Sequence, residues 1–116
     1  MIKKTPDFVD LHDSTGTATA RIHLHGATIT SWRISGRDLL YLSPRACLDG
    51  TRPIRGGIPL VFPQFGPADG RFPLAQHGFA RSLPWTLLTN SGAEAVFELK
   101  ADERTSAFPF AFTLRY

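Results

Sequence analysis

The sequence predicts an all-β fold, an antiparallel β-sandwich. Apolar and polar residues alternate with a period of two, and turn residues separate the alternating runs at short intervals. No stretch of the 116 residues shows the 3.6-residue period of a helix, and nine Pro and ten Gly disfavour one further. A chain of this length forms one domain at most, covering residues 1–116, with a modest hydrophobic core.

The first half of the chain predicts a meander of short strands. Residues 8–11 and 18–24 flank the turn sequence Asp13-Ser14-Thr15-Gly16, which indicates a hairpin. Residues 28–34 are rich in β-branched and aromatic side chains, which favour a third strand. The turn Ser35-Gly36-Arg37-Asp38 then predicts a short strand over residues 39–42.

Two histidines stand out in the second predicted strand. His23 and His25 alternate with Ile22 and Leu24, so they share a strand face with Arg21. A pair of this spacing can ligate zinc, but no third ligand is evident at a suitable distance in the sequence. An exposed polar stripe is therefore the better interpretation of this face.

The second half predicts another hairpin and a final strand. Residues 85–89 and 93–99 flank the turn Asn90-Ser91-Gly92, and residues 110–116 alternate again. The alternating pattern continues up to Tyr116 without a turn or cap after it. A strand ending there would expose a sheet edge, which natural domains usually cover or blunt. We therefore expect the chain to be the N-terminal part of a larger domain.

Between these halves, residues 43–83 form a long connection rich in Pro and Gly. A connection of this length inside a compact domain is usually functional or disordered. Its apolar residues, among them Ile58, Phe62 and Phe79, supply too much apolar surface for disorder. The connection is expected to be ordered and to face a ligand.

Arginine dominates the positive charge of the chain. Ten Arg accompany three Lys in a chain of net charge +3, and seven of the ten Arg lie between Arg33 and Arg81. The planar guanidinium matches phosphate and carboxylate, so an anionic ligand is plausible, although composition alone favours an ordinary solvated basic surface. Nucleic acid is a weak alternative, because aromatic and basic residues do not interleave and no known binding module is present.

Bulk features bound the remaining function classes. Cys47 is the single cysteine, so no internal disulfide or cysteine-based metal cluster can form. No apolar run is long enough to span a bilayer, and the N-terminus does not lead into the apolar segment of a signal peptide. These features predict a soluble, cytoplasmic protein that does not associate with membranes.

Two segments of the connection carry the chemistry: RGGIPLVFPQFGP, which begins at Arg55, and QHGFAR, which ends at Arg81. The two glycines after Arg55 permit a sharp turn and a close approach of the backbone to a ligand. Two converging Arg make a good phosphate clamp, Gln76 suits sugar hydroxyls, and His77 can exchange a proton near neutral pH. Taken singly, each of these residues is more often a turn or structural residue.

In combination the two segments, followed by a Pro-Trp strand, resemble the hexose-6-phosphate mutarotases, also called glucose-6-phosphate 1-epimerases. This family belongs to the galactose-mutarotase-like superfamily of large β-sandwiches. The likeness runs from about Gly26 to the Pro109-Phe110 strand. It implies that Arg55 and Arg81 bind the phosphate of a hexose 6-phosphate, that Gln76 binds the sugar, and that His77 lies beside the sugar as an auxiliary.

The same resemblance implies that the catalysts lie elsewhere. The family uses a general acid His and a general base Glu, with a substrate-binding Asp between them, and needs neither metal nor organic cofactor. No position after Arg81 can be matched to them, and residues 82–116 contain no His. The chain is thus expected to hold the binding half of an epimerase site and to be inactive alone; the alternatives are a non-catalytic carbohydrate- or sugar-phosphate-binding module and a fragment without function.

Overall fold

The computed structural model describes residues 7–68, 70, 74–106 and 108–116, and it consists almost entirely of strand and loop. Seven strands form two antiparallel sheets, which confirms the predicted all-β class. The strands are β1 (Phe8–His12), β2 (Ala18–His23), β3 (Thr28–Ile34), β4 (Arg37–Asp38), β5 (Thr86–Asn90), β6 (Ala95–Leu99) and β7 (Phe112–Arg115). Two single turns of 3-10 helix, Ala80–Ser82 and Glu103–Thr105, are the helical elements of the described residues, and neither could cross a bilayer.

The first sheet has the order β1-β2-β3-β4, a simple meander. Asp13 closes the β1–β2 turn as predicted: its backbone N–H donates to the Ala18 carbonyl at 3.0 Å, and its carboxylate accepts from the Ala18 N–H at 3.2 Å. The prediction for the next turn was wrong. Ser35 and Gly36 alone make it, with φ of 51° and 76°, so β4 starts at Arg37 and pairs at once with Ile34.

The predicted strand over residues 39–42 does not form as a regular strand. Leu39 still donates to the Trp32 carbonyl at 2.8 Å, after which the chain leaves the sheet. Of the four residues, Leu42 forms a bridge with Gly56. The two-residue turn brings the chain back to β3 earlier than the predicted four-residue turn would. Regular pairing with β3 therefore ends at Asp38.

The histidine face of β2 also differs from the prediction. His23 is buried, and its Nδ1 lies 2.9 Å from the Thr30 hydroxyl. The register of β2 and β3 shifts between Arg21 and Ile22, which leaves Thr30 as an extra residue of β3 and permits this contact. The Phe8 ring, whose centroid lies 5.6 Å from that of His23, covers the other side.

The second sheet has the order β5-β6-β7, and its first hairpin follows the prediction. The Asn90 side chain accepts from the Gly92 N–H at 2.9 Å, which closes the turn. Trp85 lies just before β5 and is buried, with its indole N–H donating to the Ala80 carbonyl at 3.0 Å. Leu88 bulges from β5, where the register with β6 shifts.

Both sheets contribute to one hydrophobic core. Ile22 of β2 and Phe97 of β6 are fully buried in it. Hydrogen bonds between residues that flank the strands also link the two sheets. The Trp85 backbone N–H donates to the Leu24 carbonyl at 2.8 Å, and the Tyr116 hydroxyl donates to the Ala27 carbonyl at 2.8 Å. Burial raises the pKa of Tyr116 to about 12. The two antiparallel sheets and their shared core match the predicted sandwich class.

The connection between the sheets is ordered over its described residues, as predicted. Isolated bridges join Ile29 to Ile58 and Phe62 to Gly78, and the Phe62–Pro63 peptide bond is cis. Residues 69 and 71–73 of this connection lie outside the described residues. The first bridge fixes the Arg55 motif against the beginning of β3, and the second bridge joins the two sequence motifs to each other.

Candidate functional site

The Arg55 motif is built on a very close approach of two backbones. Gly56 and Gly57 have φ of 113° and 66°, and a Cβ on Gly57 would lie 2.0 Å from the Ile29 carbonyl oxygen. Gly57 also donates to the Tyr41 carbonyl at 2.8 Å. The close approach that the glycines permit is therefore to the protein's own backbone, and not to a ligand as the sequence suggested.

Arg55 itself is exposed, and its backbone carbonyl accepts from the Ser43 N–H at 3.0 Å. Within the described residues, the Arg55 guanidinium has neither a hydrogen bond nor an ion pair. Arg55 is thus an exposed cation, without a charge partner among those residues, on a backbone that is tightly held.

His77 fastens the second motif to the first. With φ of 63°, it donates its backbone N–H to the Gly66 carbonyl at 2.8 Å and accepts the Gly66 N–H at Nδ1, at 2.9 Å. Because Nδ1 is an acceptor, the hydrogen bond assigns the ring proton of the neutral imidazole to Nε2. The exposed Phe65 ring lies over the imidazole, with centroids 4.9 Å apart. His77 can therefore offer a ligand an Nε2–H donor, whereas its Nδ1 is occupied.

Gly78 brings this motif onto the Phe62 backbone. Its φ is 76°, and a Cβ there would lie 2.1 Å from the Phe62 carbonyl oxygen. The same carbonyl accepts from the N–H groups of Phe79 at 3.0 Å and Ala80 at 3.2 Å. The 3-10 turn that begins at Ala80 consequently places Arg81 directly after this contact.

Arg81 is half-buried, and only part of its hydrogen-bonding capacity is used within the described residues. Its Nη2 donates to the Gln76 carbonyl at 3.1 Å, whereas its Nε is buried and has no partner in the described residues. The Gln76 side chain is exposed. The structure therefore brings Gln76, His77 and Arg81 together on one loop, with the Gln76 backbone hydrogen-bonded to Arg81 and the Gln76 residue exposed.

Arg55 lies on a separate segment, and no hydrogen bond or ion pair of the described residues links it to the other three. Both segments nevertheless pack against residues 26–29, which form the end of the β2–β3 turn and the start of β3. The Arg81 carbonyl oxygen lies 2.6 Å from the position a Cβ on Gly26 would take, and Gly57 packs on Ile29. The convergence of the two guanidinium groups on one phosphate stays a prediction that this shared platform supports.

One residue of this region was missed by the sequence reasoning. Gln64 is buried, and its Nε2 donates to the Ala75 carbonyl at 2.9 Å and to the Leu74 carbonyl at 3.4 Å. Its position between Pro63 and Phe65, among apolar residues, was the available signal.

The site is rich in donors and poor in negative charge. Two guanidinium groups, an amide and an imidazole Nε2–H are all donors, and Asp69 is the one acidic residue in the sequence between Thr51 and Ala93. The arrangement suits a ligand that is anionic at one end and carries several hydroxyl groups at the other. His25, in contrast, lies outside it, with its Nε2 3.0 Å from the Arg52 carbonyl oxygen.

Known proteins share this sequence pattern. The chain is 42% identical over 101 residues to a protein of Escherichia coli (strain K12) named "Putative glucose-6-phosphate 1-epimerase", covering 82% of this chain and 34% of the relative. It is 37% identical over 107 residues to a protein of the same name from Cenchrus ciliaris, covering 83% and 32%. The chain thus spans about a third of the length of the curated relatives it matches.

Solved structures share the fold as well. The Slr1438 protein from Synechocystis sp. PCC 6803 superposes with a TM-score of 0.73 at 30% identity, covering 99% of this chain and 46% of its own. A protein described as a "putative mutarotase" from Salmonella typhimurium gives 0.71 at 36% identity, covering 85% and 35%. The family model described as aldose 1-epimerase matches residues 9–116. This chain belongs to the aldose 1-epimerase family.

Proposed function

We propose that the chain supplies the phosphate- and sugar-binding part of an epimerase that interconverts the α and β anomers of hexose 6-phosphates, with glucose 6-phosphate as the substrate. The observation that carries this proposal is the donor-rich pair of segments around Arg55 and Arg81, both packed on residues 26–29 where the β2–β3 turn leads into β3. The names of the Escherichia coli and Cenchrus ciliaris relatives support the same substrate.

In this proposal the two arginines bind the phosphate. The Arg55 guanidinium is unpaired within the described residues, and Arg81 keeps part of its guanidinium free after bonding the Gln76 carbonyl. A bound phosphate far from the anomeric carbon supplies orientation and remote binding energy for the reaction. Gln76 binds the sugar hydroxyls, and His77 donates its Nε2–H beside the sugar.

The reaction needs a proton-transfer pair in addition to this binding site. A base removes the proton of the anomeric hydroxyl while an acid protonates the ring oxygen, so that the C1–O5 bond breaks. The C1–C2 bond then rotates, and the steps run in reverse to close the ring as the other anomer. Such positioned groups contribute about 10²–10⁴-fold each. The pair is proposed to be a His and a Glu from outside these 116 residues, with no metal or cofactor.

The phosphate clamp is tested by binding of glucose 6-phosphate and of glucose to the chain. Arg55→Ala and Arg81→Ala are each expected to weaken glucose 6-phosphate by about ten- to a hundredfold, since a charge-assisted hydrogen bond contributes about 1.5–3 kcal/mol. Glucose should be affected far less. Lys at either position should restore part of the affinity, because it keeps the charge and loses the fork.

Two further variants complete this experiment. Arg45→Ala is the matched control, because Arg45 is an exposed arginine of the same connection outside both motifs. Gln76→Ala should weaken both ligands, as expected for a residue on the sugar side. An unchanged preference for the phosphorylated sugar in both Arg55→Ala and Arg81→Ala would overturn the phosphate assignment.

A second candidate is a sugar-phosphate-binding module without catalysis, favoured by the absence of His from residues 82–116. Following anomer exchange of fresh α-glucose 6-phosphate by NMR shows whether the chain alone is catalytic, and repeating the measurement with the chain as part of a longer epimerase that carries the His and the Glu separates the two candidates. The chain alone should bind without accelerating exchange, and acceleration that His77→Ala abolishes would place the catalytic centre within it.

We propose a cytoplasmic location, since the single Cys47 fits a reducing compartment.

A further inference from the structure

Gln64 lies beneath the segment that carries the proposed sugar and phosphate contacts. Its side chain is buried, and its amide donates to the carbonyls of Leu74 at 3.4 Å and Ala75 at 2.9 Å, immediately before Gln76. A buried amide is costly unless it is hydrogen-bonded, so its geometry and that of the segment above it are set together.

Arg81 also binds this segment. Its Nη2 donates to the carbonyl of Gln76, the next residue along the chain, at 3.1 Å. Three consecutive carbonyls, from Leu74 to Gln76, therefore accept from the side chains of Gln64 and Arg81, and the Ala75 carbonyl also accepts from the Gly78 N–H at 2.8 Å. A displacement of this segment at Gln64 would move the acceptor on which the Arg81 guanidinium rests.

Two buried polar atoms next to this segment have no partner in the described residues. One is the acceptor Oε1 of Gln64, and the other is the donor Nε of Arg81. A buried polar group without a hydrogen-bond partner destabilises the folded state. Gln64 and Arg81, which both hold the segment, thus each have one buried polar atom without a partner in the described residues. Both side chains are therefore sensitive to small movements of the segment.

We propose that Gln64 is a positioning residue for the substrate site: it fixes the segment Leu74–Gln76 and, through the Gln76 carbonyl, the Arg81 guanidinium. Its effect on ligand binding rests on the proposed function. Arg55 lies outside its reach, because that residue is held through Ser43 and the glycine contacts with β3. A glutamine that only stabilised the fold would show no such difference between the two arginines.

A double-mutant cycle on glucose 6-phosphate binding tests this difference in the chain. Gln64→Met keeps the length of the side chain and removes both polar groups. When Gln64→Met is combined with Arg55→Ala, the increase in the dissociation constant should equal the product of the two single-variant increases to within roughly twofold, as for independent sites. When it is combined with Arg81→Ala, the increase should be smaller than that product by about threefold or more, as for coupled sites. Multiplicative losses with both arginines would overturn the positioning role.

A ligand-free measurement separates this role from the proposed function. In a nitrogen-15 NMR spectrum of the chain, Gln64→Met should shift the Arg81 Nε–H signal and leave that of Arg55 in place. Gln64→Glu, which keeps the length and loses the donor, should shift the same signal and serves if Gln64→Met does not fold. An unmoved Arg81 signal in a folded variant overturns the role, whereas a moved signal without phosphate binding overturns the proposed function alone.

Discussion

The meander of β1 to β4 and the connection over residues 43–83 are ordered by different means. Each strand of the meander pairs with the next one along the chain, so the contacts that hold it are largely local. The connection instead relies on contacts with distant residues, such as the bridge of Ile58 to Ile29 and the hydrogen bond of Gly26 to Leu83. The strands of the meander thus follow from the alternation of apolar and polar residues, whereas the conformation of the connection depends on a few residues that allow close contact with distant parts of the chain.

Two glycines offer the sharpest test of this comparison. Gly57 in the connection and Gly36 in the β3–β4 turn have similar φ, 66° and 76°, but a Cβ on Gly57 meets the Ile29 carbonyl while one on Gly36 meets nothing within 4 Å. Gly36→Ala should cost about 1–2 kcal/mol for the left-handed backbone alone. Gly57→Ala should cost about 4 kcal/mol or more, because backbone must move as well.

Urea unfolding of the two alanine variants and the unchanged chain measures both free energies of unfolding. Equal losses would show that the connection tolerates displacement from β3. In that case the comparison between the two regions fails, since the close contact at Gly57 would not be what holds the Arg55 motif in place.

A smaller effect is expected from His23, the residue that breaks the local pattern of the meander. Burial, and then the Arg21 guanidinium, lowers the pKa of His23, while Asp7 and Asp10 oppose this shift. The folded state therefore favours the neutral ring. The resulting stability is fully present above the unfolded pKa of about 6.5 and is lost as the pH falls from there toward the folded pKa.

Denaturant titrations between pH 7.5 and pH 5 measure this loss. The unchanged chain should lose stability over this range more steeply than His23→Gln, which removes the titrating group and keeps a polar side chain near Thr30. Parallel slopes would mean that the register shift between β2 and β3 leaves His23 accessible to water in solution.

The smallest effect is expected from the outer face of the meander. Arg21 and Asp10 form a two-pronged ion pair at 2.8 and 3.0 Å, but both side chains are largely exposed. Asp10→Asn should cost less than about 1 kcal/mol, and high salt should remove most of the difference. A loss comparable to that of Gly57→Ala would show that charge pairing, and not alternation, orders the strands.

Much of the fold could be predicted because strands that pair with their sequence neighbours leave a local pattern. The hairpins around Asp13 and Asn90 and the strand Thr28–Ile34 were all predicted from alternation and turn residues. The short strand Arg37–Asp38 was misplaced, because a four-residue turn and a two-residue turn cannot be told apart from the residues alone when the sequence permits both.

For the candidate site, the sequence identified the residue types, whereas the tertiary structure showed their hydrogen-bond partners and their burial. The motifs identified Arg55, Gln76, His77 and Arg81 as candidates, while the assignment of the His77 proton to Nε2 depends on the Gly66 N–H eleven residues away. The burial of Gln64 and of His23 likewise depends on what covers them, Leu74 and Ala75 in one case and Phe8 in the other.

By itself, the sequence determined the all-β class, the hairpins between neighbouring strands and the residue types of the candidate site, since these follow from local periodicity and side-chain chemistry. The tertiary structure alone decided that Gly56 and Gly57 serve a backbone contact, that the two arginine segments share residues 26–29, and that Gln64 supports the segment before Gln76. The physical reason is that these features are distances between residues far apart in the chain, on which local alternation and turn propensity carry no information.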